Sequence, residues 1–106
     1  MEQHEMEKTV ICVVAKFTCN EGQLSNLMSI LRSPDGLAVT RAFKGCQLIE
    51  ASISEDAGTL YLYERWNTKE DHQAYLKYRG ETGLLEALAP ILAEPLDLTY
   101  SNFEDV

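Results

Sequence analysis

The chain has 106 residues, which is enough for one modest hydrophobic core and too few for a second independent one. Nine Lys and Arg stand against 17 Asp and Glu, a formal net charge of −8, and no basic cluster provides the positive stripe that nucleic acid or an anionic membrane surface requires. The charge therefore excludes nucleic acid and anionic membranes as partners. The length indicates a single folded domain.

The sequence pattern contains no secretory or membrane-spanning segment. Apolar runs such as residues 10–15 are far shorter than the roughly 20 residues that cross a bilayer. Residues 1–8 are polar and lack the apolar stretch of a secretory signal. We therefore expect a cytoplasmic protein with a flexible tail over residues 1–8, one domain over residues 9–103 and a short C-terminal tail over residues 104–106.

Three cysteines, Cys12, Cys19 and Cys46, are an odd number without a Cys-x-x-Cys pair. This pattern argues against a disulfide framework and against a zinc clamp, so we expect free thiols that are mostly interior. His4 lies in the acidic tail, and we expect no metal site there. Phosphate-loop, dinucleotide-binding and nucleophile-elbow patterns are absent, which favours a protein without a cofactor, although a flavin can bind without a short motif.

The first half of the chain predicts a strand followed by two helical segments. Residues 9–18 are β-branched and almost continuously apolar, the pattern of a strand covered on both faces. We expect Asn20 to cap the next helix, whose apolar face recurs at helical spacing. That face consists of Leu24, Leu27, Met28 and Leu31. Ser33 and Pro34 then end the helix and favour a short helical piece over residues 37–43.

The middle of the chain predicts a hairpin. Residues 46–55 and 59–66 are two strand-like segments that flank a three-residue loop containing Gly58. A loop of this length joins antiparallel neighbours, so these two strands are expected to pair.

A helical region follows the hairpin. Thr68 with Asp71 three residues later resembles a capping box for a helix that extends to about Tyr78. A second apolar helical stretch covers residues 84–92, and Pro90 should interrupt it because proline removes a backbone donor and clashes with the preceding turn.

In residues 96–103 apolar and polar side chains alternate, which predicts a last strand. The element order is therefore β, α, β, β, α, β. This order predicts an α+β fold, a ferredoxin-like sandwich whose four-stranded antiparallel sheet carries its helices on one face. The other face then lacks a cover, yet the first strand is apolar on both of its sides. Cys12 and Val14 lie on one side, and Ile11, Val13, Ala15 and Phe17 lie on the other. We therefore expect a second copy of the chain to pair with that sheet face as a homodimer.

The segment ERWNTKE at residues 64–70 resembles the E-x-W-x-(S/T)-x-E signature of the antibiotic biosynthesis monooxygenase (ABM) family. Gly45 and Cys46 resemble the family's Gly-Cys opening of the second strand. The resemblance implies a quinol-monooxygenase-like protein, paired through its sheet into a dimeric α+β barrel. It also implies a cofactor-independent monooxygenase acting on aromatic polyketides or quinols, in which protein groups help to deprotonate the substrate before oxygen reacts.

The sequence departs from the family pattern at helix positions that matter for chemistry. Nine residues after the motif Trp the family often has His, whereas this chain has Tyr75. The haem-degrading relatives use an Asn, an aromatic residue and a His that ligates iron, and these positions correspond here to Ala15, Tyr75 and Leu85. Since no iron ligand stands at the last position, haem degradation by that mechanism is not expected.

The helix after the motif carries the best candidate catalytic residues. His72, Tyr75 and Arg79 recur at i, i+3 and i+7, which places them along one stripe together with Leu76. In a cavity, His72 would act as base, Tyr75 as hydrogen-bond donor, and Arg79 would stabilise an enolate or phenolate. Alternatively, Tyr75 and Leu76 belong to the core, with His72 and Arg79 at the solvent boundary.

Three residues of the preceding strand are candidate substrate-binding residues: Glu64, Trp66 and Tyr63. Glu64 shares a strand face with Trp66, where a carboxylate acts either as a catalytic base or as half of a structural ion pair. Trp66 ends the strand, and a large aromatic residue at such a point is more often a core or interface anchor than a catalytic group. Tyr63 lies on the opposite face with Arg65, and a tyrosine there suits an aromatic small molecule or a dimer interface.

Together these patterns predict a cofactor-free monooxygenase acting on a phenolic or quinol substrate. Two alternatives remain open: a non-catalytic dimeric module that binds a small aromatic molecule, and a cofactor-free isomerase or cyclase that uses the same residues.

Overall fold

Four strands form one antiparallel sheet in the order β2-β3-β1-β4. The computed structural model describes residues 10–106, so the expected tail over residues 1–8 and His4 lie outside the described residues. The strands are β1 (Ile11–Thr18), β2 (Cys46–Ser54), β3 (Thr59–Trp66) and β4 (Asp97–Asn102), and the helices are α1 (Leu24–Arg32), α2 (Leu37–Ala42), α3 (Lys69–Glu81) and α4 (Leu84–Leu88). This order and topology confirm the ferredoxin-like α+β fold.

One face of the sheet packs against the helices. Strand alternation sends every second side chain of β1 to this face, where Ile11, Val13, Ala15 and Phe17 are all buried. β1 lies between β3 and β4, which explains why it is the most apolar strand of the chain. Most of the core is aliphatic, and a second cluster is built around Ile11, Val13, Trp66 and Tyr75. Glu64, His72 and Arg79 are also buried on this side of the sheet.

The other face of the sheet is open and of mixed character. Side chains stand there in three rows across the strands. One row holds Leu48, Arg65, Cys12 and Ser101, the next holds Glu50, Tyr63, Val14 and Thr99, and the third holds Ser52, Tyr61, Lys16 and Asp97. Apart from the exposed Leu48 of β2, the edge strands add polar residues to this face, so the apolar character expected from β1 does not extend across it. Cys12, expected in the interior, is only half-buried here.

The expected N-cap of α1 is wrong. The helix begins at Leu24, and its capping position is Gln23, whose side chain makes no capping bond. Asn20 instead donates its side-chain amide to the carbonyl oxygens of Pro90 at 3.1 Å and Leu92 at 3.3 Å. The distant carbonyls outcompete the local turn for this amide, and the bonds fix the β1–α1 loop to the segment after α4.

The other predicted boundaries are close to those observed. Thr68 Oγ1 accepts a hydrogen bond from the Asp71 backbone N–H at 3.0 Å, and α3 extends past Tyr78 to Glu81. α4 ends at Leu88, two residues before Pro90. The longest helix has 13 residues, and among residues 10–106 no helix has the length and apolar content needed to cross a membrane.

Gly45 fixes the start of β2 against α3. Its φ is +92°, and a Cβ added there would come within 2.6 Å of the Asp71 Cβ.

A Gly45→Ala variant should lose about 2–4 kcal/mol of unfolding free energy, since both the left-handed backbone and the clash are unfavourable. Gly22→Ala is the matched control, because Gly22 has a φ of +78° and nothing within 4 Å, and it should lose only about 1 kcal/mol. Urea denaturation of both variants measures the difference; equal losses would contradict the close approach.

Candidate functional site

Three ionisable side chains are buried in the cluster between sheet and helices. Glu64 of β3 is 5% exposed, His72 of α3 is 1% exposed and Arg79 of α3 is 4% exposed. Charged groups are rarely buried to this extent unless they are paired, hydrogen-bonded or functional. Trp66, fully buried beside them, contacts the His72 ring at a centroid distance of 5.2 Å.

The Arg79 guanidinium is held by hydrogen bonds that it donates to four protein oxygens. Nε donates to the Tyr75 hydroxyl at 2.8 Å, and Nη1 donates to the Asp35 carbonyl oxygen at 2.7 Å. Nη2 donates to the Gly36 carbonyl oxygen at 2.6 Å and to Thr40 Oγ1 at 3.2 Å. Arg79 therefore ties α3 to the α1–α2 connection, and the Tyr75 hydroxyl, 2.5 Å from Thr40 Oγ1, completes the network.

Arg79 is a buried cation without an anionic partner. Among residues 10–106 the ion-pair geometry involves only His72 and Glu64, so no carboxylate oxygen lies within 4.0 Å of the guanidinium. Neutral carbonyl and hydroxyl oxygens satisfy its donors but leave a full positive charge in a region of low dielectric. An anion that enters the neighbouring space would therefore be stabilised more strongly than at the protein surface.

Glu64, His72 and Tyr100 form a second, connected group. Trp66 Nε1 donates to Glu64 Oε1 at 2.8 Å, and the same carboxylate oxygen lies 3.6 Å from His72 Nε2. On the other side of the ring, His72 Nδ1 lies 2.7 Å from the Tyr100 hydroxyl. Both nitrogens of the imidazole thus face a polar partner.

Burial governs the protonation of this group. It raises the pKa of the Glu64 carboxyl, against a smaller lowering effect from the Trp66 hydrogen bond. It lowers the pKa of His72 from 6.5 to about 4. Burial, and then the negative charge of Glu64, raise the pKa of Tyr100. His72 is therefore neutral at physiological pH, and its contact with Glu64 is not an ion pair there.

A small cavity lies between the two groups. It has a volume of about 40 Å³ and is lined by apolar side chains together with Glu64, His72, Tyr75 and Arg79. One water molecule needs roughly 10–15 Å³ by this measure, so the cavity holds a few waters and is too small for an aromatic ring. Leu85, Leu88 and Leu96 line this cavity and also an outer groove of about 450 Å³.

The structure brings five of the six sequence-predicted site residues together: His72, Tyr75, Arg79, Glu64 and Trp66. The sixth, Tyr63, is 43% exposed on the open face of the sheet, because neighbouring residues of a strand point to opposite faces. The alternative that placed His72 and Arg79 at the solvent boundary is wrong, since both are buried.

Sequence reasoning missed Thr40 and the role of Tyr100. Thr40 is fully buried on α2 and bonds the Tyr75 hydroxyl, although nothing in its local pattern distinguishes it from a surface threonine. The only available signal for Tyr100 is the alternation of residues 96–103, which puts it on the same strand face as Leu98. Cys12, Cys19 and Cys46 are free thiols, and residues 10–106 contain no group of three metal-ligating His, Cys, Asp or Glu side chains.

Comparisons with known proteins identify the family and agree with the fold. The family model described as antibiotic biosynthesis monooxygenase matches residues 10–79, and the chain therefore belongs to the ABM family. A curated relative from Mycobacterium tuberculosis, the putative monooxygenase Rv0793, is 30% identical over 95 residues, which cover 82% of this chain and 92% of that protein.

Solved structures agree in fold. The structure of Rv0793 superimposes with a TM-score of 0.67 at 26% identity, covering 92% of this chain and 97% of that chain. A conserved protein from Methanosarcina mazei superimposes with a TM-score of 0.79 at 16% identity, covering 95% and 99%. A monooxygenase from the gene ActVA-Orf6 of Streptomyces coelicolor, in complex with nanaomycin D, has a TM-score of 0.74 at 16% identity, covering 93% and 91%.

The lowered pKa of His72 makes stability depend on pH. In the unfolded chain His72 takes up a proton near pH 6.5, whereas in the fold it stays neutral until about pH 4. Between these values the unfolded state binds more protons, so the free energy of unfolding should fall by up to about 3 kcal/mol as the pH is lowered. Glu64 acts in the opposite direction, because its raised pKa makes the folded state take up a proton first.

Urea denaturation from pH 7 to pH 4.5 checks this expectation for the wild type, His72→Gln and Glu64→Gln. The stability difference between wild type and His72→Gln should shrink as the pH falls, and Glu64→Gln should show a steeper loss than wild type. His4 is present in all three proteins and cancels. A wild-type advantage over His72→Gln that is the same at both pH values would contradict the lowered pKa.

Proposed function

We propose that the protein is a cofactor-independent monooxygenase that deprotonates a phenolic or quinol substrate and allows molecular oxygen to react with the resulting anion. The observation that carries the proposal is the buried, unneutralised Arg79 guanidinium beside a neutral imidazole in one apolar cavity. A cation stabilises the phenolate that forms, while an uncharged His72 is free to accept a proton. Membership of the ABM family supports the same class of activity.

The proposed reaction balances without an added reductant. A phenol with a hydrogen on the reacting ring carbon, together with O₂, gives a quinone and one water; a quinol gives a hydroxyquinone and one water. One oxygen atom of O₂ forms the new carbon–oxygen bond. The other leaves as water with the hydrogen of that carbon and one hydroxyl hydrogen, so the substrate itself is oxidised and supplies every electron.

Each buried side chain has a role in this proposal. His72 takes up the hydroxyl proton by way of the Glu64 carboxylate, Tyr75 donates a hydrogen bond to the substrate oxygen, and Arg79 stabilises the negative charge of that oxygen. Glu64 and Trp66 form the polar and aromatic wall that orients the ring. Tyr63 faces away from this cavity, so a substrate-binding role for it would belong to the open face of the sheet.

Substrate entry in this proposal requires movement of the leucines that separate the cavity from the outer groove. Pockets that enclose an aromatic ligand usually have volumes of at least roughly 300 Å³, far more than the closed cavity. Leu85 is 39% exposed, lines both spaces and lies on the five-residue helix α4. Its displacement would join the cavity to the groove of about 450 Å³, and the joined space suits one ring system.

A second candidate function is non-catalytic binding of a small aromatic molecule. It is favoured by the hydrogen bonds that already occupy Tyr75 and Arg79 within the protein, which leave few donors for a substrate. An isomerase or cyclase would use the same residues and differs only in needing no oxygen.

Oxygen uptake tests the catalytic proposal. Wild-type protein in chelator-treated buffer is mixed with a panel of phenols and quinols, and uptake is measured against heat-denatured protein to subtract autoxidation. Arg79→Gln should lower kcat/KM about 100-fold, a typical cost of removing one donor from a developing oxyanion. Tyr78→Phe is the matched control, since Tyr78 is an exposed tyrosine of the same helix outside the cavity.

With ¹⁸O₂, one labelled atom should appear in the product and one in water. Absence of uptake with every compound would contradict the catalytic proposal. A rise in melting temperature with the same compounds, without turnover, would then favour the binding module.

The proposal also includes a homodimer formed through the open face of the sheet, in the cytoplasm. The central row of that face joins Val14 and Tyr63, residues of the apolar and aromatic kind that interface centres contain. The family resemblance supports the same pairing, and the three free thiols favour a reducing compartment.

Val14→Arg should convert the protein from twice the 11.9 kDa chain mass to a monomer, because it places an unpaired charge at the centre of the interface. Gln73→Arg adds the same charge on an exposed position of α3 and should leave the dimer intact. Sedimentation equilibrium measures both. A monomeric wild type at micromolar concentration would rule out the dimer.

A further inference from the structure

Glu64 and Tyr100 stand in the same row of the sheet, on either side of the fully buried Val13. Glu64 of β3 and Tyr100 of β4 both pair with Val13 of β1, on the face that carries the helices. Two strand spacings separate their backbones, which is roughly 10 Å. This separation is too large for a direct hydrogen bond, and the imidazole of His72 from α3 fills the gap.

His72 connects the two side chains through opposite ring nitrogens. Nε2 lies 3.6 Å from Glu64 Oε1, and Nδ1 lies 2.7 Å from the Tyr100 hydroxyl. Two edge-on aromatic contacts fix the ring plane: Trp66 at a centroid distance of 5.2 Å and Tyr100 at 5.4 Å. The imidazole is thus held in the orientation that a bridging group needs.

The group extends from the cavity toward the protein surface. Glu64 and His72 line the cavity and are almost fully buried, whereas Tyr100 lies on an edge strand and is half-buried. The exposed Lys69 lies above it, with Nζ 4.9 Å from the centre of the Tyr100 ring. Tyr100 is therefore the member of the group that is nearest to solvent.

We propose that Glu64, His72 and Tyr100 form a proton relay between the cavity and solvent, with Tyr100 as its outer end. The inference rests on the proposed function, because it supplies the route by which the substrate's hydroxyl proton leaves the cavity. Tyr100 acts through His72 and is a positioning residue of the site.

The relay moves one proton and leaves every protein group with its original proton count. The substrate O–H bond breaks, and its proton passes to the Glu64 carboxylate and then to His72 Nε2. His72 releases the proton on Nδ1 to the Tyr100 oxygen, and Tyr100 releases its own hydroxyl proton to water. The substrate anion remains beside Arg79. The reverse passage returns a proton when water is formed from the second oxygen atom.

This route suits an imidazole that does not hold a charge. Because one nitrogen gains a proton as the other loses one, the ring passes between its two neutral tautomers, which agrees with the lowered pKa of His72. The ionisable groups that face the ring are Glu64 from β3, Tyr100 from β4 and Tyr75 of its own helix, 6.2 Å away between ring centroids. None of them is a cation that would oppose the passage of a proton.

Exchange of the imidazole proton with solvent tests the relay without any substrate. Protein labelled with ¹⁵N-histidine is studied by nuclear magnetic resonance, with His4 assigned through a His4→Gln variant, since the chain has two histidines. In wild type the His72 N–H should exchange much faster than the backbone amide of Val13. In Tyr100→Phe the His72 exchange should slow at least tenfold, while the Val13 amide is unchanged.

Tyr78→Phe is the control tyrosine variant, because Tyr78 contacts Phe43 and not His72, and it should exchange like wild type. A wild-type His72 proton that exchanges no faster than the Val13 amide would overturn the relay, and this measurement needs no variant to fold. His72 exchange in Tyr100→Phe that equals or exceeds that of wild type would also overturn it, because loss of a purely structural hydrogen bond leaves the imidazole proton no better protected.

Turnover separates this inference from the proposed function. If a quinol is oxidised, Tyr100→Phe should lower kcat about tenfold and leave KM unchanged, and a kcat equal to that of wild type would overturn the relay. If nothing is oxidised but Tyr100→Phe slows His72 exchange, the monooxygenase proposal fails and the relay stands.

Discussion

A guanidinium in a protein interior persists only if its donors are bonded, since an unsatisfied buried charge costs several kcal/mol. Arg79 meets this constraint with oxygens from two other parts of the chain: the carbonyls of Asp35 and Gly36 and the hydroxyl of Thr40. The α1–α2 connection therefore has to lie against α3. This packing also fixes the position of Tyr75, whose hydroxyl accepts a hydrogen bond from Arg79.

The same constraint explains why a charged guanidinium and an uncharged imidazole lie in one small buried cluster. Arg79 holds a permanent positive charge because a guanidinium stays protonated in proteins. Burial, in contrast, lowers the pKa of His72 and keeps its imidazole uncharged. A site with a fixed cation and a neutral base stabilises the product of proton transfer more than its reactant. That preference is built from protein groups alone, and it distinguishes this cluster from an ordinary buried ion pair, in which each charge cancels the other.

Local pattern predicted the parts of this site that lie on one element. Helical spacing aligned His72, Tyr75 and Arg79, and strand alternation separated Glu64 and Trp66 from Tyr63, because both periodicities follow from backbone geometry. The contacts between elements were not predictable in the same way. Tyr100 reaches His72 across 28 positions of sequence, and such partners depend on how helices pack on the sheet.

Asn20 illustrates the corresponding error. Its sequence context favours a helix cap. A prediction from neighbouring residues cannot include the two carbonyls, in a segment 70 residues away, to which the Asn20 amide donates. Tertiary contacts override local preference when a polar side chain can satisfy more than one backbone group at once. The burial of His72 and Arg79 also depends on tertiary contacts. Helical spacing identifies which side chains share a face, but not how deeply that face is covered.

The leucines between the cavity and the outer groove have a kinetic consequence. In the proposed function a substrate enters and leaves when Leu85 and its helix move, so its association and dissociation would be limited by the frequency of that opening. α4 is five residues long, begins after Gly83 and ends before Pro90, and so short a helix has little stability of its own. The residence time of an occupant would then be controlled mainly by this short helix, and the polar groups that bind the occupant could change without changing how long it stays.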